Sequence, residues 1–478
     1  VEVPRRAGSA PATPVLPTVT GPGRSTVLAS IRSATLHGID GQLVRVEVHV
    51  ANGLPGYSVV GLPDAAGRES KDRVRAALVS SQLEWPLRRI TVNLAPGGVR
   101  KSGAGLELAV ALGLLVATGR IEADALEGVG VLGELGLDGR VRSVPGTLAL
   151  VDALARDGVV SVIVPWADAA EAALVPGVRV RPARHLAEVT ECLTGEAPWP
   201  DAPEAPPEPE APVIDPADLA EVRGMVTARA ALRCAAAGGH HLLMSGPPGA
   251  GKTMIARRLP TILAPLEPEE ALEVTRIHSA AGVNPGHRLA SVRPFRAPHH
   301  TASTAALIGG GSGRPRPGEV TLASGGVLFL DELGEFAPQT LDALRQPLEE
   351  RVVRIARQAC ALEFPARFTL VACTNPCPCG RDPAHCTCSD TARERYRRRL
   401  SAPLLDRFDL RLALRAPGEV EPRGASSEAE RARVIGAVTR QTHRFAGLPW
   451  SRNAHIPAGG LATYADRKST RLNSSHRT

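Results

Sequence analysis

The sequence predicts an α/β protein of two globular units followed by a helical C-terminal piece. Three observations carry this. Strand-like runs alternate with helical stretches: LVRVEVHV has a period of two, VVSVIVP reads as a fully buried strand, and GLELAVALGLLVA reads as a buried helix. Residues 196–215 are rich in proline and acid, cannot build a core, and read as a stiff, extended linker. Beyond the linker, HHLLMSGPPGAGKTMIARRLPTIL passes from an apolar strand through a glycine-rich loop into a helix.

The elements follow in order. Residues 1–24, rich in Pro, Ala, Thr and Gly, read as a disordered arm. Residues 25–195 form the first unit and 216–416 the second. After Pro417 the pattern turns helical and polar, and SSEAERARVIGAVTRQTHRF opens as a capped helix, so 417–466 read as part of a helical lid. The last dozen residues, RKSTRLNSSHRT at 467–478, break with the composition before them and read as a non-native tail.

Composition bounds the function. The 478 residues leave room for about three domains. With 43% hydrophobic and 22% charged residues the chain is not wholly disordered, and with 3% aromatics its core is aliphatic. The longest apolar run, Leu108–Thr118, falls short of the roughly 20 residues of a membrane span. The N-terminus has no apolar central region of a signal peptide and no initiator Met, which reads as a processed, trimmed or miscalled start. The expected location is cytoplasmic, with no membrane partner. Net charge is +7, but Glu196–Glu221 holds eight acids and no Lys or Arg, leaving about +15 elsewhere. That excess is compatible with a nucleic-acid or phosphate partner. Positive charge is written as Arg; the only lysines are Lys71, Lys101, Lys252 and Lys468.

One of those lysines closes the strongest motif. Gly246, Pro247, Pro248, Gly249, Ala250, Gly251, Lys252 and Thr253 form the G-x-x-x-x-G-K-[ST] loop between a strand and a helix. Its glycines let backbone N–H groups turn toward phosphate oxygens, and the helix N-terminus adds positive potential. Lys252 is expected on the β- and γ-phosphates of ATP and Thr253 on Mg²⁺. In GGVLFLDELGEF, the apolar strand Val327–Leu330 delivers Asp331 and Glu332 to its carboxyl end, where ligands of parallel sheets bind. Asp331 is expected to hold Mg²⁺, and Glu332 to activate water as a general base. A third strand, FTLVACTNP, ends at Asn375, which can orient that water or touch the γ-phosphate. Arg407, in RRRLSAPLLDRFDLRL, can reach a neighbouring subunit's phosphate.

Five cysteines crowd one stretch. Cys377, Cys379, Cys386 and Cys388, just after Cys373, form two C-x-C pairs six residues apart. They can ligate one Zn²⁺ through four thiolates, or they are free or redox-active thiols. A spread-out secreted disulfide framework is not the pattern.

Taken in order, GPPGAGKT, GGVLFLDE, TNPCPCG and LSAPLLDRFDL resemble an AAA+ ATPase of the magnesium-chelatase-like group. With GLPGYSVVGLPDAAGRESKDRVRAAL, NLAPGGVRKSGAGLELAVALGLL and GELGLDGRVRSVPG in the first half, the chain resembles the YifB/ComM family over about 25–466. The resemblance implies a Lon-protease-like α+β first unit and an AAA+ P-loop NTPase second unit with the start of a helical lid. It implies hexameric rings, and for the ComM branch ATP-driven branch migration of DNA in transformation and recombination. It also implies a pre-sensor hairpin at 351–363 and a DNA-gripping insertion at 288–318. That insertion holds Arg288, Arg293, Arg296, Arg314 and Arg316 with Phe295, His299 and His300, and no acid. Arg293, Arg296, Arg314 and Arg316 are the arginines expected on DNA phosphate.

The departures are specific. Where the Lon-type serine and lysine align, this chain has Gly105 and Leu148, so a non-proteolytic module is expected. The family's lid continues into a helix with a second sensing Arg, and no counterpart follows Asp466 here. The alternatives are a magnesium-chelatase-like motor subunit, a Lon-like protease and a nucleotide-binding scaffold without hydrolysis. DNA stimulation of ATP turnover separates the DNA motor from all three.

Overall fold

The computed structural model describes residues 28–61, 65–97, 101, 105–203, 218–283, 288–311, 315–357, 360–381, 385–415 and 422–464. The expected arm at 1–24 and tail at 467–478 lie outside the described residues, as does most of the linker.

The first unit is a mixed seven-stranded sheet. Its spatial order is Gly56–Val60, Arg89–Ala95, Asp40–Ala51, Leu28–His37, Val129–Val131, Ser161–Pro165 and Arg179–Ala183. The alternation of LVRVEVHV is that of the antiparallel strand Asp40–Ala51, with Val44, Val46, Val48 and Val50 buried. VVSVIVP supplies Ser161–Pro165, a strand buried at every position between two parallel neighbours. The helix Glu107–Ala117 is apolar nearly all round, and every one of its residues is buried against this sheet.

The second unit is a five-stranded sheet in the order Phe295–Arg296, Val327–Leu330, Thr369–Thr374, Leu242–Ser245, Leu410–Ala413, parallel throughout. Parallel strands put all their carboxyl ends on one edge, and that edge carries the candidate site. On one face lie the helices Val226–Gly238, Lys252–Ile262 and Ser427–Arg444. The other face is closed by Leu333, Phe336, Leu341, Leu344 and Phe364. The segment after Pro417 opens as read from its sequence: Ser426 caps the helix by accepting from the backbone N–H of Ala429. Glu430 in its first turn pairs with Arg233 at 3.0 Å and ties it to the core.

One feature differs from the sequence reading and one goes beyond it. The insertion at 288–318 is built partly into the sheet, because Phe295–Arg296 forms its edge strand beside Val327–Leu330. The two units also pack on each other. Ser279 on the helix Pro268–Ala281 donates to Glu171, Arg276 pairs with Asp40 at 3.3 Å, and Ile39 joins Leu362 and Phe364 in the second unit's core. Leu362 and Phe364 belong to the hairpin Val352–Arg357 and Cys360–Pro365. No helix among the described residues is long and apolar enough to cross a membrane.

Candidate nucleotide site

Three strands aim their ends at one cavity. Leu242–Ser245 feeds the loop Gly246–Gly251, Val327–Leu330 feeds Asp331 and Glu332, and Thr369–Thr374 feeds Asn375. The cavity, about 360 Å³, is lined by residues 248–254, Asp331, Glu332, Cys373, Thr374 and Asn375. Gly251 adopts φ +80° at the N-cap of the helix Lys252–Ile262, a conformation that favours glycine, and it lets the chain turn sharply into the helix.

Lys252 is folded into this cavity. Its Nζ donates to the carbonyls of Gly246 (2.6 Å) and Pro247 (2.9 Å) and to Asn375 Oδ1 (3.1 Å). Burial holds its ammonium below the usual lysine range. Thr253 Oγ1 donates to Asp331 Oδ2 at 2.8 Å, while Asp331 Oδ1 accepts the backbone N–H of Glu332 at 2.9 Å. Glu332 sits at φ +52°, ψ +48°, and its Oε2 lies 3.3 Å from Nδ1 of His300. A hydroxyl and a carboxylate side by side are the hard oxygen donors that Mg²⁺ prefers. Backbone N–H groups at a helix start, with a lysine beside them, are the donors that phosphate prefers. The residues present therefore fit both groups.

Thus Lys252, Thr253, Asp331, Glu332 and Asn375 line one site. Arg407 does not. It pairs with Glu349 and lines a cavity of about 740 Å³ with His241, Gly326, Phe368 and Asp409, residues at the amino ends of the strands. His300 is a site residue the sequence did not reveal. It lay among the basic residues of the insertion, and only the pairing of Phe295–Arg296 with Val327–Leu330 carries that segment toward Glu332.

The cysteines are gathered too. The Sγ atoms of Cys377, Cys379, Cys386 and Cys388 lie within 4.8 Å of one another. Backbone N–H groups of Arg381 and Thr387 hold the Cys379 thiol below its usual range.

Two of the arginines expected on DNA are engaged within the chain. Arg293 donates to the carbonyls of Ala264 (2.6 Å), Gly325 (2.7 Å) and Pro265 (2.9 Å) and to Glu270 (2.6 Å). Arg296 grips Glu319 through two bonds of 2.6 and 2.7 Å. Both guanidinium groups are engaged inside the chain, Arg296 by Glu319, one residue beyond the acid-free window, and Arg293 by Glu270 and three carbonyls on earlier and later segments. Arg316 is exposed, and Arg314 lies outside the described residues. In the first unit, Leu148 is buried and Gly105 presents no side chain, so neither position carries Lon-type chemistry.

A parallel α/β sheet with a phosphate loop and an acidic strand end is the arrangement of a P-loop nucleotide-binding domain, and comparison with known proteins narrows the class. A family model described as "Magnesium chelatase, subunit ChlI" matches residues 218–421, and one described as "Subunit ChlI of Mg-chelatase" matches 46–168. A Mycobacterium tuberculosis protein, Rv2897c, is 45% identical over 429 residues, covering 89% of this chain and 85% of the relative. YifB of Escherichia coli is 40% identical over 428 residues, 87% of this chain and 83% of its own. The competence protein ComM of Haemophilus influenzae is 42% identical over 386 residues, 80% and 75%. The chain belongs to the YifB/ComM family of magnesium-chelatase-like proteins.

Proposed function

We propose that the chain is a Mg²⁺-dependent ATPase of the AAA+ type that works as a homohexameric, DNA-remodelling motor. The observation that carries this reading is the Thr253–Asp331 contact of 2.8 Å, with Lys252 and Glu332 on the same cavity. Backbone N–H groups at the start of the helix Lys252–Ile262 bind phosphate oxygens, and the Lys252 ammonium exchanges its carbonyl partners for the β- and γ-phosphates. Thr253 and Asp331 would hold Mg²⁺, which would supply charge neutralisation at those phosphates. Glu332 takes a proton from the attacking water, and Asn375 orients that water. The same reading gives the four clustered cysteines a structural Zn²⁺. The first unit is then a Lon-protease-like module without protease chemistry, since Gly105 and Leu148 stand where serine and lysine would act.

The DNA side of the reading is supported by the family's ComM branch, one relative being named a competence protein. It is also supported by the exposed Arg316 and by the basic balance of the chain outside Glu196–Glu221. ATP affinity and turnover, with and without single-stranded, duplex and branched DNA, test the whole. Lys252→Ala is expected to abolish ATP binding. Glu332→Gln is expected to keep it while turnover falls about 10²- to 10⁴-fold. Undiminished turnover in Glu332→Gln removes that residue from the base role. Turnover in the unaltered protein that no DNA stimulates leaves a magnesium-chelatase-like motor as the better reading.

A further inference from the structure

The spacing of the clustered thiols is close to that of a four-thiolate metal site. Cys377 Sγ lies 3.3 Å from Cys379 Sγ and 3.5 Å from Cys386 Sγ, and Cys379 Sγ lies 3.8 Å from Cys386 Sγ. A tetrahedron of thiolates around Zn²⁺, with Zn–S near 2.3 Å, has S···S edges of about 3.8 Å. With Cys388 the set reaches four ligands, which closes the tetrahedron and makes the site structural.

The position of the cluster gives that site a task. Only Asn375 and Pro376 separate the strand Thr369–Thr374 from Cys377. The backbone N–H of Gly380 donates to the carbonyl of Cys377 at 3.0 Å, closing a turn that contains the first two ligands. Gly380 has φ +70°, and a Cβ there would lie 3.0 Å from both Cγ and Cδ of Pro248 and 3.9 Å from Cγ of Asn375. The knuckle's backbone therefore rests directly on the phosphate loop, beside the side chain that accepts from Lys252.

Resting on the reading of the cavity as an ATP site and of the cysteines as zinc ligands, we propose that Zn²⁺ on Cys377, Cys379, Cys386 and Cys388 clamps this knuckle against Pro248 and so seats the phosphate loop and Asn375 for ATP. The physical reason is preorganisation. A loop tied by four metal bonds has lost its conformational freedom before ATP arrives, whereas an untied loop loses it on binding and weakens the affinity. A two-electron oxidant that joins two of the thiolates in a disulfide, and so releases Zn²⁺, then lowers ATP affinity without touching a catalytic group.

The test uses the full chain and reads zinc content, zinc-edge X-ray absorption, cooperative thermal unfolding and the affinity of a fluorescent ATP analogue. About one zinc per chain is expected, with four sulfur ligands near 2.3 Å. Changing Cys386→Ser and Cys388→Ser together is expected to remove the zinc and weaken nucleotide affinity about tenfold or more. Gly380→Ala is no ligand change. It should keep the zinc yet weaken affinity several-fold, because its methyl group presses on Pro248; it keeps the test decisive if the double variant does not fold. Chain grown with ample zinc that carries none, yet binds the nucleotide, overturns the metal assignment. Zinc present with unchanged affinity in Gly380→Ala overturns the clamp alone. An unaltered chain that holds zinc and binds no nucleotide overturns the ATPase reading, and the clamp with it.

Discussion

Glu332 holds a backbone conformation that side-chain-bearing residues rarely adopt. A non-glycine residue at φ +52° costs on the order of 1 kcal/mol, and such strain concentrates at working sites. Here it brings the carboxylate to His300, while the N–H is kept by Asp331. His300 is itself held by ring contacts, 4.1 Å from the His299 ring and edge-on to Phe336 at 6.4 Å. It is thus a positioning residue for the proposed base. His300→Ala should lower kcat about tenfold with little change in ATP affinity, since it touches no phosphate-loop residue, and His300→Asn should restore part of the loss. Equal kcat in His300→Ala and the unaltered protein removes the residue from that role.

At the scale of elements, what was legible in the sequence is what local chemistry dictates. The phosphate loop, the strand ending at Asp331, the strand ending at Asn375, the hairpin after Arg351 and the capped helix at Ser427 each carry their signal within one short stretch. Contacts between distant stretches were not legible. Nothing local tells Arg293 that it will meet the carbonyls of Ala264 and Gly325, or Gly380 that it will meet Pro248. The helix Glu107–Ala117 shows the same division. Its apolar run was evident, but its first residue, Glu107, is buried with Arg73 Nη2 at 2.6 Å and the Leu135 N–H at 3.0 Å. Burial outweighs those two partners and pushes the carboxyl up to about 7 from 4.5. The sign of the pH dependence follows. Below about pH 4.5 the group is protonated in the folded and unfolded chain and contributes nothing. Between 4.5 and 7 the folded chain binds the extra proton, so stability falls as pH rises. Above 7 both states are ionised, and the full cost, on the order of 3 kcal/mol, remains. Thermal unfolding from pH 5 to 8 should therefore show a decline that Glu107→Gln flattens. The same decline in Glu107→Gln assigns the effect to another group.

At the scale of the whole molecule, the second unit's parallel sheet separates two sets of charged groups. The phosphate loop, Asp331, Glu332 and Asn375 stand at the carboxyl ends of the strands, and Arg407 stands in the cavity at their amino ends. Even the four-residue strand Leu242–Ser245 spans about 13 Å, beyond the reach of one side chain. Arg407 cannot serve the cavity of its own chain. In the proposed ring the amino-end side of one subunit would have to face the nucleotide of the next, and the Arg407 guanidinium, released from Glu349, would then meet charge on the transferring phosphoryl group. Arg407→Ala should then bind ATP with unchanged affinity and hydrolyse it about 10³-fold more slowly. Mixing it with Lys252→Ala subunits, which bind no ATP but keep Arg407, rebuilds complete sites wherever an intact phosphate loop faces an intact arginine. Turnover should rise with the mixing ratio and pass through a maximum, while either variant alone stays inactive. Absence of rescue at every ratio, with mixed rings verified by native mass spectrometry, excludes the action of Arg407 on a neighbour's phosphate.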